Sequence, residues 1–385
     1  MVETNHRRAS LGDRPMKICL IGGIYGKGGV RTSYVKSTPE TNLEAGLRLA
    51  GHEVTTLSHY DDVQFAAFDI THVHHLSYGA TRLASDKSSC PFVFTAHDAS
   101  QMNGVPMGLA QRLAMRYVLS RADGIVSLSM AEADFQQSHY PTKGALLETI
   151  PNGIPDELFP LLPRTKPDQR PWKILFVGQL IALKGCDLLL RALARISHPF
   201  ELCLAYQTDL LQAELAELAS SLGIAKNVKF LGKQDPAQLA ALYQTSDLLI
   251  LPSATEALPS VITEAMLSGL PFIATAVGGV REQAAGFGYL LQSRTTDSLA
   301  LAINTVLDRY PEFAKTADAM SAHARSTFSI EAMVKKHLHL YERIAARGPA
   351  RRSGSTLLDT TIRLAVRRQG QGSKLTMPSA ITEPT

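Results

Sequence analysis

The sequence predicts two doubly wound α/β domains facing each other across a cleft. Three observations carry this. Short, continuously apolar runs alternate with amphipathic stretches along most of the chain, as parallel strands do when helices cover both faces of their sheet. The alternation breaks once, in PLLPRTKPDQRP (160–171), where Pro160, Pro163, Pro167 and Pro171 punctuate a stretch without periodicity. Such a segment is a semi-rigid linker. The chain of 385 residues then has room for two or three domains of ordinary size.

Taken in order, KICLIGG (17–23) is a β-rich run that ends in glycine. In ETNLEAGLRLAGHEV, Leu43, Leu47 and Ala50 recur at helical spacing and Gly51 marks the helix end. EVTTL, DITHVHHL, PFVFTAH, GIVSLS and GALLETIPNG supply further strands. After the linker the pattern restarts with WKILFVGQL, FELCLAY, NVKFLG, DLLILP, PFIAT and GFGYLL as strands, and helices fall between them. SIEAMVKKHLHLYERIAAR (329–347) is a last amphipathic helix. The expected division is a tail (1–15), a first domain (16–160), the linker (161–171), a second domain (172–327), a helix packing back toward the first domain (328–345) and a basic, disordered tail (346–385). In that tail LLDTTIRLAVRR (357–368) has the pattern of a short basic amphipathic helix, and contact with anionic lipid is the alternative to a solvated tail.

Composition excludes several classes. The apolar fraction is 45% and the charged fraction 19%, as in an ordinary globular protein. A net charge of +4 is too small to argue for nucleic acid, and from Arg347 onward seven Lys/Arg face two acids, so the excess sits in the tail. Cys19, Cys90, Cys186 and Cys203 are widely spaced, which reads as reduced thiols. No signal-peptide pattern and no membrane-length apolar run is present, so a cytoplasmic location is expected, with peripheral contact at the inner membrane surface as an option.

GGIYGKGGVRTS (22–33) resembles a phosphate loop and fails the test for one. A Walker loop needs Gly-Lys-Ser/Thr in register, and Arg31 and Thr32 stand where that register requires other residues. Nor does it fit a dinucleotide fingerprint, because Gly23, Gly26 and Gly28 reverse the spacing and Glu40 and Glu44 fall in the next helix. What survives is a glycine-rich strand-to-helix turn able to approach an anion closely.

The strongest signal is SATEALPSVITEAMLSGLPFIATAVGGVRE (253–282). Glu256 and Glu264 flank a helix start, Pro259 suits the first turn, and the amides of Ser260 and Val261 would face an anion. This string resembles the donor-site signature of retaining GT-B glycosyltransferases, specifically glycosyltransferase family 4. Further similarities follow in order: GKGGV, GLRLAGHEV, FDITHVHH, FVFTAHD, IPNGI and VGQLIALKG, together covering roughly residues 16–345.

The resemblance implies GT-B architecture, with two Rossmann-like domains, and metal-independent sugar transfer from a UDP- or GDP-linked donor with retained configuration. It implies no cofactor, and an acceptor that is a glycan, lipid-linked or a small molecule, as in polysaccharide biosynthesis. It assigns Lys184 to the departing diphosphate, Glu264 to the ribose, Glu256 to the donor sugar and His97 to the reaction centre. Ser260, Val261, Gly28 and Gly29 would offer amides to phosphate, and base selectivity would lie near FLGKQD (230–235).

One departure stands out. The family places Arg five residues before the lysine, and this chain has Gln179 there, which brings no charge and no fork. Arg281 or Arg31 are candidates to compensate. The alternatives are a non-catalytic sugar-nucleotide binder and another GT-B enzyme such as a sugar-nucleotide epimerase or a phosphorylase. His72, His74 and His75 read as a strand end lining the cleft, not as a metal site. Arg112, Arg116 and Arg121 read as a solvated helix face rather than an acceptor or membrane contact.

Overall fold

Ile18, Cys19, Leu20 and Ile21 are all buried on a single strand, so both faces of that strand are covered. The same holds for the four residues of Leu248–Leu251 in the second half. These two strands lie inside two parallel sheets, and the computed structural model shows how the rest assembles around them. It describes residues 14–26, 37–59, 61, 64–85, 90–97, 102, 107–142, 144–165 and 170–348.

The first half runs β1 (Lys17–Ile21), α1 (Pro39–Leu49), β2 (Glu53–Leu57), β3 (Ile70–His74), α2 (Tyr78–Ser85), β4 (Phe92–Thr95), α3 (Leu109–Leu119), β5 (Gly124–Ser127), α4 (Met130–His139) and β6 (Leu146–Thr149). Its six strands pair in parallel in the order β2-β1-β3-β4-β5-β6.

The second half runs β7 (Trp172–Val177), α5 (Cys186–Leu193), β8 (Phe200–Ala205), α6 (Gln212–Ser221), β9 (Val228–Gly232), α7 (Pro236–Thr245), β10 (Leu248–Leu251), α8 (Ser260–Leu267), β11 (Phe272–Thr275), α9 (Val280–Ala284) and β12 (Tyr289–Leu291). Then come α10 (Thr296–Asp308), α11 (Tyr310–Ala314), α12 (Ala317–Phe328) and α13 (Ile330–Arg347). The order of the second sheet is β12-β11-β10-β7-β8-β9.

Each order reverses direction once, between β1 and β3 in the first sheet and between β7 and β10 in the second. Open parallel sheets bind ligands at the carboxyl ends of the strands at such a reversal. The segments after β1, β3, β7 and β10 are therefore where chemistry is expected.

The last helix returns to the first sheet. Leu340, Tyr341 and Ile344 share a core with Ile18, Leu20 and Val126. The approach is close enough to require glycine at several places. A Cβ on Gly46 would lie 2.4 Å from Val334, and one on Gly124 would lie 2.5 Å from Ile344. The proline-rich segment is less of a free spacer than its composition suggests. Arg164 donates to the carbonyls of Tyr243, Gln244, Ser246 and Ser268 at 2.7–3.2 Å, tying the segment to the second domain.

α4 has no apolar periodicity in the sequence because its inner face is polar. Glu132 and Gln136 are buried there and bond to each other, to the Leu128 amide and to the Ser127 hydroxyl. Among the described residues no helix is long and apolar enough to cross a membrane.

Candidate functional site

The wall of the cleft on the second domain is built by two loops held together by backbone. After β7, residues 182–184 form a single 3-10 turn closed by Gly185 in the left-handed region, φ 69°. A Cβ there would lie 2.5 Å from the Pro252 carbonyl oxygen, so the loop after β7 is pressed on the loop after β10. The Ala254 amide donates to the Leu183 carbonyl at 2.7 Å. This contact sets Lys184 Nζ 2.6 Å from Glu256 Oε1. Gly278 explains the glycine pair in AVGGVRE: a Cβ on it would lie 1.8 Å from the Glu256 carbonyl oxygen. The Gly279 amide donates to the Ala257 carbonyl at 3.0 Å.

α8 begins just after Glu256. Pro259 occupies its N-cap, one position earlier than the first turn, and no side chain caps the helix. The amides at its start, those of Ser260 and Val261, thus belong to the end of the helix where the dipole favours an anion. Gln283 fixes that end by donating to the Pro259 carbonyl at 2.9 Å and to Thr263 Oγ1 at 2.8 Å. Glu264 lies one turn further in. Burial pushes its carboxyl up to about 7, although the Tyr243 hydroxyl opposes the shift. Its Oε2 is buried and has no hydrogen-bond partner.

The facing wall on the first domain is a chain of imidazoles. His75 and His97 follow β3 and β4, and both have left-handed backbones, φ 64° and 55°. Such a conformation costs a side chain-bearing residue about 1–3 kcal/mol and marks functional positions. His97 Nε2 lies 2.8 Å from Nδ1 of His74, and His74 stacks on His72 with ring centroids 4.2 Å apart. His72 bonds through Nε2 to Thr95 Oγ1 and through Nδ1 to the Tyr341 hydroxyl of α13, both at 2.7 Å. Burial pushes His97 down to about 3, so it acts as a neutral ring. His75 donates to Glu40 Oε1 at 3.0 Å.

Between the walls lies a cavity of about 330 Å³, lined by Pro39, Glu40, His75, His97, Leu128 and Asn152 from the first domain and Thr255, Glu256, Ala257 and Leu258 from the second. Of the residues singled out in the sequence, His75, His97 and Glu256 line it, and Lys184 reaches it through Glu256. Ser260 and Val261 open α8 beyond Leu258, and Glu264 lies on the same helix. Gln179 is exposed on the loop after β7. Arg281 is directed to Gln292, with which it bonds at 2.9 Å. Gly28, Gly29 and Arg31 lie outside the described residues.

Two readings change. His72 is not at the cleft; it is fully buried beneath α13, because its strand is central and Tyr341 and Thr95 take both its nitrogens. Glu40, weighed in the sequence only as a ribose acid and set aside, lines the cavity. Asn152, in IPNGI, and Tyr341 were likewise not marked. The only available signal for Glu40 was a carboxylate in the first turn of a helix that follows a glycine-rich loop, which is common on solvated helices.

The chain matches two family models, Glycosyl transferases group 1 over residues 162–327 and Glycosyltransferase Family 4 over residues 61–158. It is 29% identical over 295 residues to a D-inositol 3-phosphate glycosyltransferase of Rhodococcus opacus, covering 67% of this chain and 64% of that relative's length. A relative of the same description from Mycolicibacterium smegmatis is 28% identical over 312 residues, 74% of this chain and 71% of its own. Among solved structures, sucrose-phosphate synthase from Thermosynechococcus elongatus superimposes with a TM-score of 0.71 at 19% identity, covering 86% of this chain and all of that one. Anabaena Alr3699/HepE in complex with UDP and glucose gives 0.66 at 20% identity, covering 84% and 98%. These likenesses show a shared fold, the two-domain GT-B architecture.

Proposed function

This chain belongs to the group 1 and family 4 glycosyltransferases, and we propose that it moves a sugar from a nucleoside-diphosphate sugar to an acceptor hydroxyl with retained anomeric configuration and without a metal. The observation that carries the reading is the Lys184–Glu256 pair set beside the uncapped start of α8.

Glycosyl transfer passes through an oxocarbenium-like state while negative charge grows on the leaving phosphate. Lys184 and the amides of Ser260 and Val261 supply donors aimed at that charge, which is where electrostatic catalysis acts. With the diphosphate bound, Lys184 exchanges Glu256 for phosphate oxygen, and Glu256 turns to the hydroxyls of the donor sugar. Glu264 Oε2, buried without a partner, suits a ribose hydroxyl. His97, neutral and held by His74, offers a hydrogen bond to the sugar without adding charge. Gly28 and Gly29, which the family resemblance assigns to the diphosphate, would offer it backbone amides, and residues 230–235 flank the base. The complex of Anabaena Alr3699/HepE with UDP supports a nucleotide donor, UDP or GDP being the first to try. The acceptor is a glycan, a lipid-linked sugar or a small molecule, met in the cytoplasm or at the inner membrane surface.

The test is to incubate the protein with UDP-, GDP- and ADP-sugars, follow release of the nucleoside diphosphate, and read the product's anomeric configuration by proton NMR. Release in the presence of EDTA with retained configuration is expected. Binding of a donor that is never consumed would instead identify a sugar-nucleotide binder.

A further inference from the structure

We propose that Glu40, His75 and Asn152 form the acceptor subsite of the cavity, and that the acceptor they take is a polyol ring carrying no phosphate. The inference rests on the transferase reading above and specifies the substrate class for the same site.

The cavity divides by domain. Thr255, Glu256, Ala257 and Leu258 form the donor-side wall. On the other wall the transfer chemistry uses His97 and leaves Glu40, His75 and Asn152 without a role. These three are polar groups converging on a space large enough for a sugar-sized ring, and His75 is held there at the expense of a left-handed backbone.

The charge of this wall selects the ligand. The Glu40 side chain is only 4% exposed. Burial opposes its ionisation, but the neighbouring imidazoles, led by the hydrogen bond from His75, outweigh it and hold the carboxyl well below the ordinary carboxylate range. An ionised carboxylate accepts hydrogen bonds and donates none. His75 occupies one of its oxygens. What remains suits hydroxyl donors, and vicinal hydroxyls of a polyol present two at once. A phosphomonoester in the same place would bring like charges together in a half-buried site, where a few ångströms of separation weaken binding by a decade or more. Lys184 is not spare to balance it, being engaged by Glu256 and, during transfer, by the diphosphate. The preference is therefore opposite to that implied by the name of the inositol 3-phosphate glycosyltransferases that the chain resembles.

The test starts with UDP, GDP and ADP in a thermal-shift measurement on the full chain. If none raises the melting temperature, the transferase reading fails and this inference falls with it. With the diphosphate that binds best present at saturation, affinities are measured calorimetrically for two matched pairs, myo-inositol with D-inositol 3-phosphate and glucose with glucose 6-phosphate. The wild-type protein is expected to bind the unphosphorylated member at least about tenfold more tightly. Glu40→Gln should bring the two within about twofold, whereas Glu40→Asp, which keeps the charge, should preserve the preference. A wild-type protein that binds the phosphorylated member equally or better, that binds neither member of either pair, or whose preference survives Glu40→Gln would overturn the proposal.

Discussion

The two walls of the cleft are built in opposite ways. The second-domain wall comes from two loops at the reversal of one sheet, and Lys184 and Glu256 meet because Gly185 and Gly278 let backbone lie on backbone. Its reactive groups touch each other directly. The first-domain wall comes from α1, β3 and β4, and its groups are supported from behind, His97 by His74, His74 by His72, and His72 by Tyr341 of the last helix. One wall concentrates charge. The other carries the carboxylate of Glu40 and positions the neutral ring of His97 through several layers. The difference implies that substitutions on the second-domain wall should act on the bond-breaking step, and those on the first-domain wall should act through geometry.

The sharpest way to break this comparison is Lys184→Ala. Removing a donor aimed at developing negative charge lowers turnover by about 10²–10³-fold. Release of the nucleoside diphosphate under saturating donor measures it. A loss smaller than tenfold would mean that the charge is met elsewhere, and the second-domain wall would lose its special standing.

Next in size is His74→Phe, which keeps a ring under His97 and deletes the 2.8 Å bond. Small misplacement of a reacting group costs on the order of 10–100-fold in rate. The expected result is a fall in kcat with donor KM nearly unchanged, and a change in the ¹⁵N chemical shifts of His97 that report its tautomer. A loss of donor affinity instead would place His74 on the binding side and erase the distinction between the walls.

The same contrast explains what could be read in the sequence. The second-domain wall was legible because most of the residues that build it lie in one continuous string from Ser253 to Glu282, and sequential neighbours stay neighbours in space there. The positions of the strands along the chain followed from apolar runs, since a strand buried on both faces cannot conceal its composition. The first-domain wall was legible at His97 and at His75, the end of the strand read as lining the cleft, but not at Glu40 or Asn152. Glu40 and His75 lie 35 residues apart, and they meet because β3 packs beside β1 and α1 returns over it. That is a property of sheet order, which no local pattern carries. His72 misled for a related reason: alternation along β3 places it on the face of His74, but the returning α13 decides that this face is interior. α4 stayed hidden because its buried side is Glu132 and Gln136, not leucine.

A third effect, of about tenfold, tests whether Glu264 works as an ionised ribose acceptor. Its folded carboxyl titrates near 7 against an ordinary value of 4.5. A carboxyl raised by folding holds its proton longer than in the unfolded chain, so between about 4.5 and 7 the folded state binds more protons and stability falls as pH rises through that window. Donor binding runs the other way, because hydroxyls are accepted by the ionised form. Affinity for a UDP-sugar should therefore rise about tenfold between pH 6 and 8 and then level off. Glu264→Gln should remove this dependence and make stability less sensitive to pH over the same range. Calorimetric titrations at several pH values decide it, and a flat wild-type profile would detach Glu264 from the donor.

The smallest expected effect lies at Gln179, where the sequence departs from the pattern that the family resemblance implies. The side chain is exposed on the loop after β7, a few residues before Lys184. Its neutral amide fits the proposal that Lys184 and the start of α8 carry the charge stabilisation. Arg281 is no substitute, since it is directed to Gln292. Restoring the guanidinium by Gln179→Arg should tighten donor binding, but an exposed charge pair contributes only about 0.2–1 kcal/mol, a factor of roughly five at most. Donor affinity measured at low and high salt separates the outcomes. A modest gain that salt removes fits an accessory charge at the rim. A gain of a hundredfold would show that the donor wall lacks a principal charge as it stands, and the contrast between a charged wall and a positioning wall would have to be redrawn around that loop.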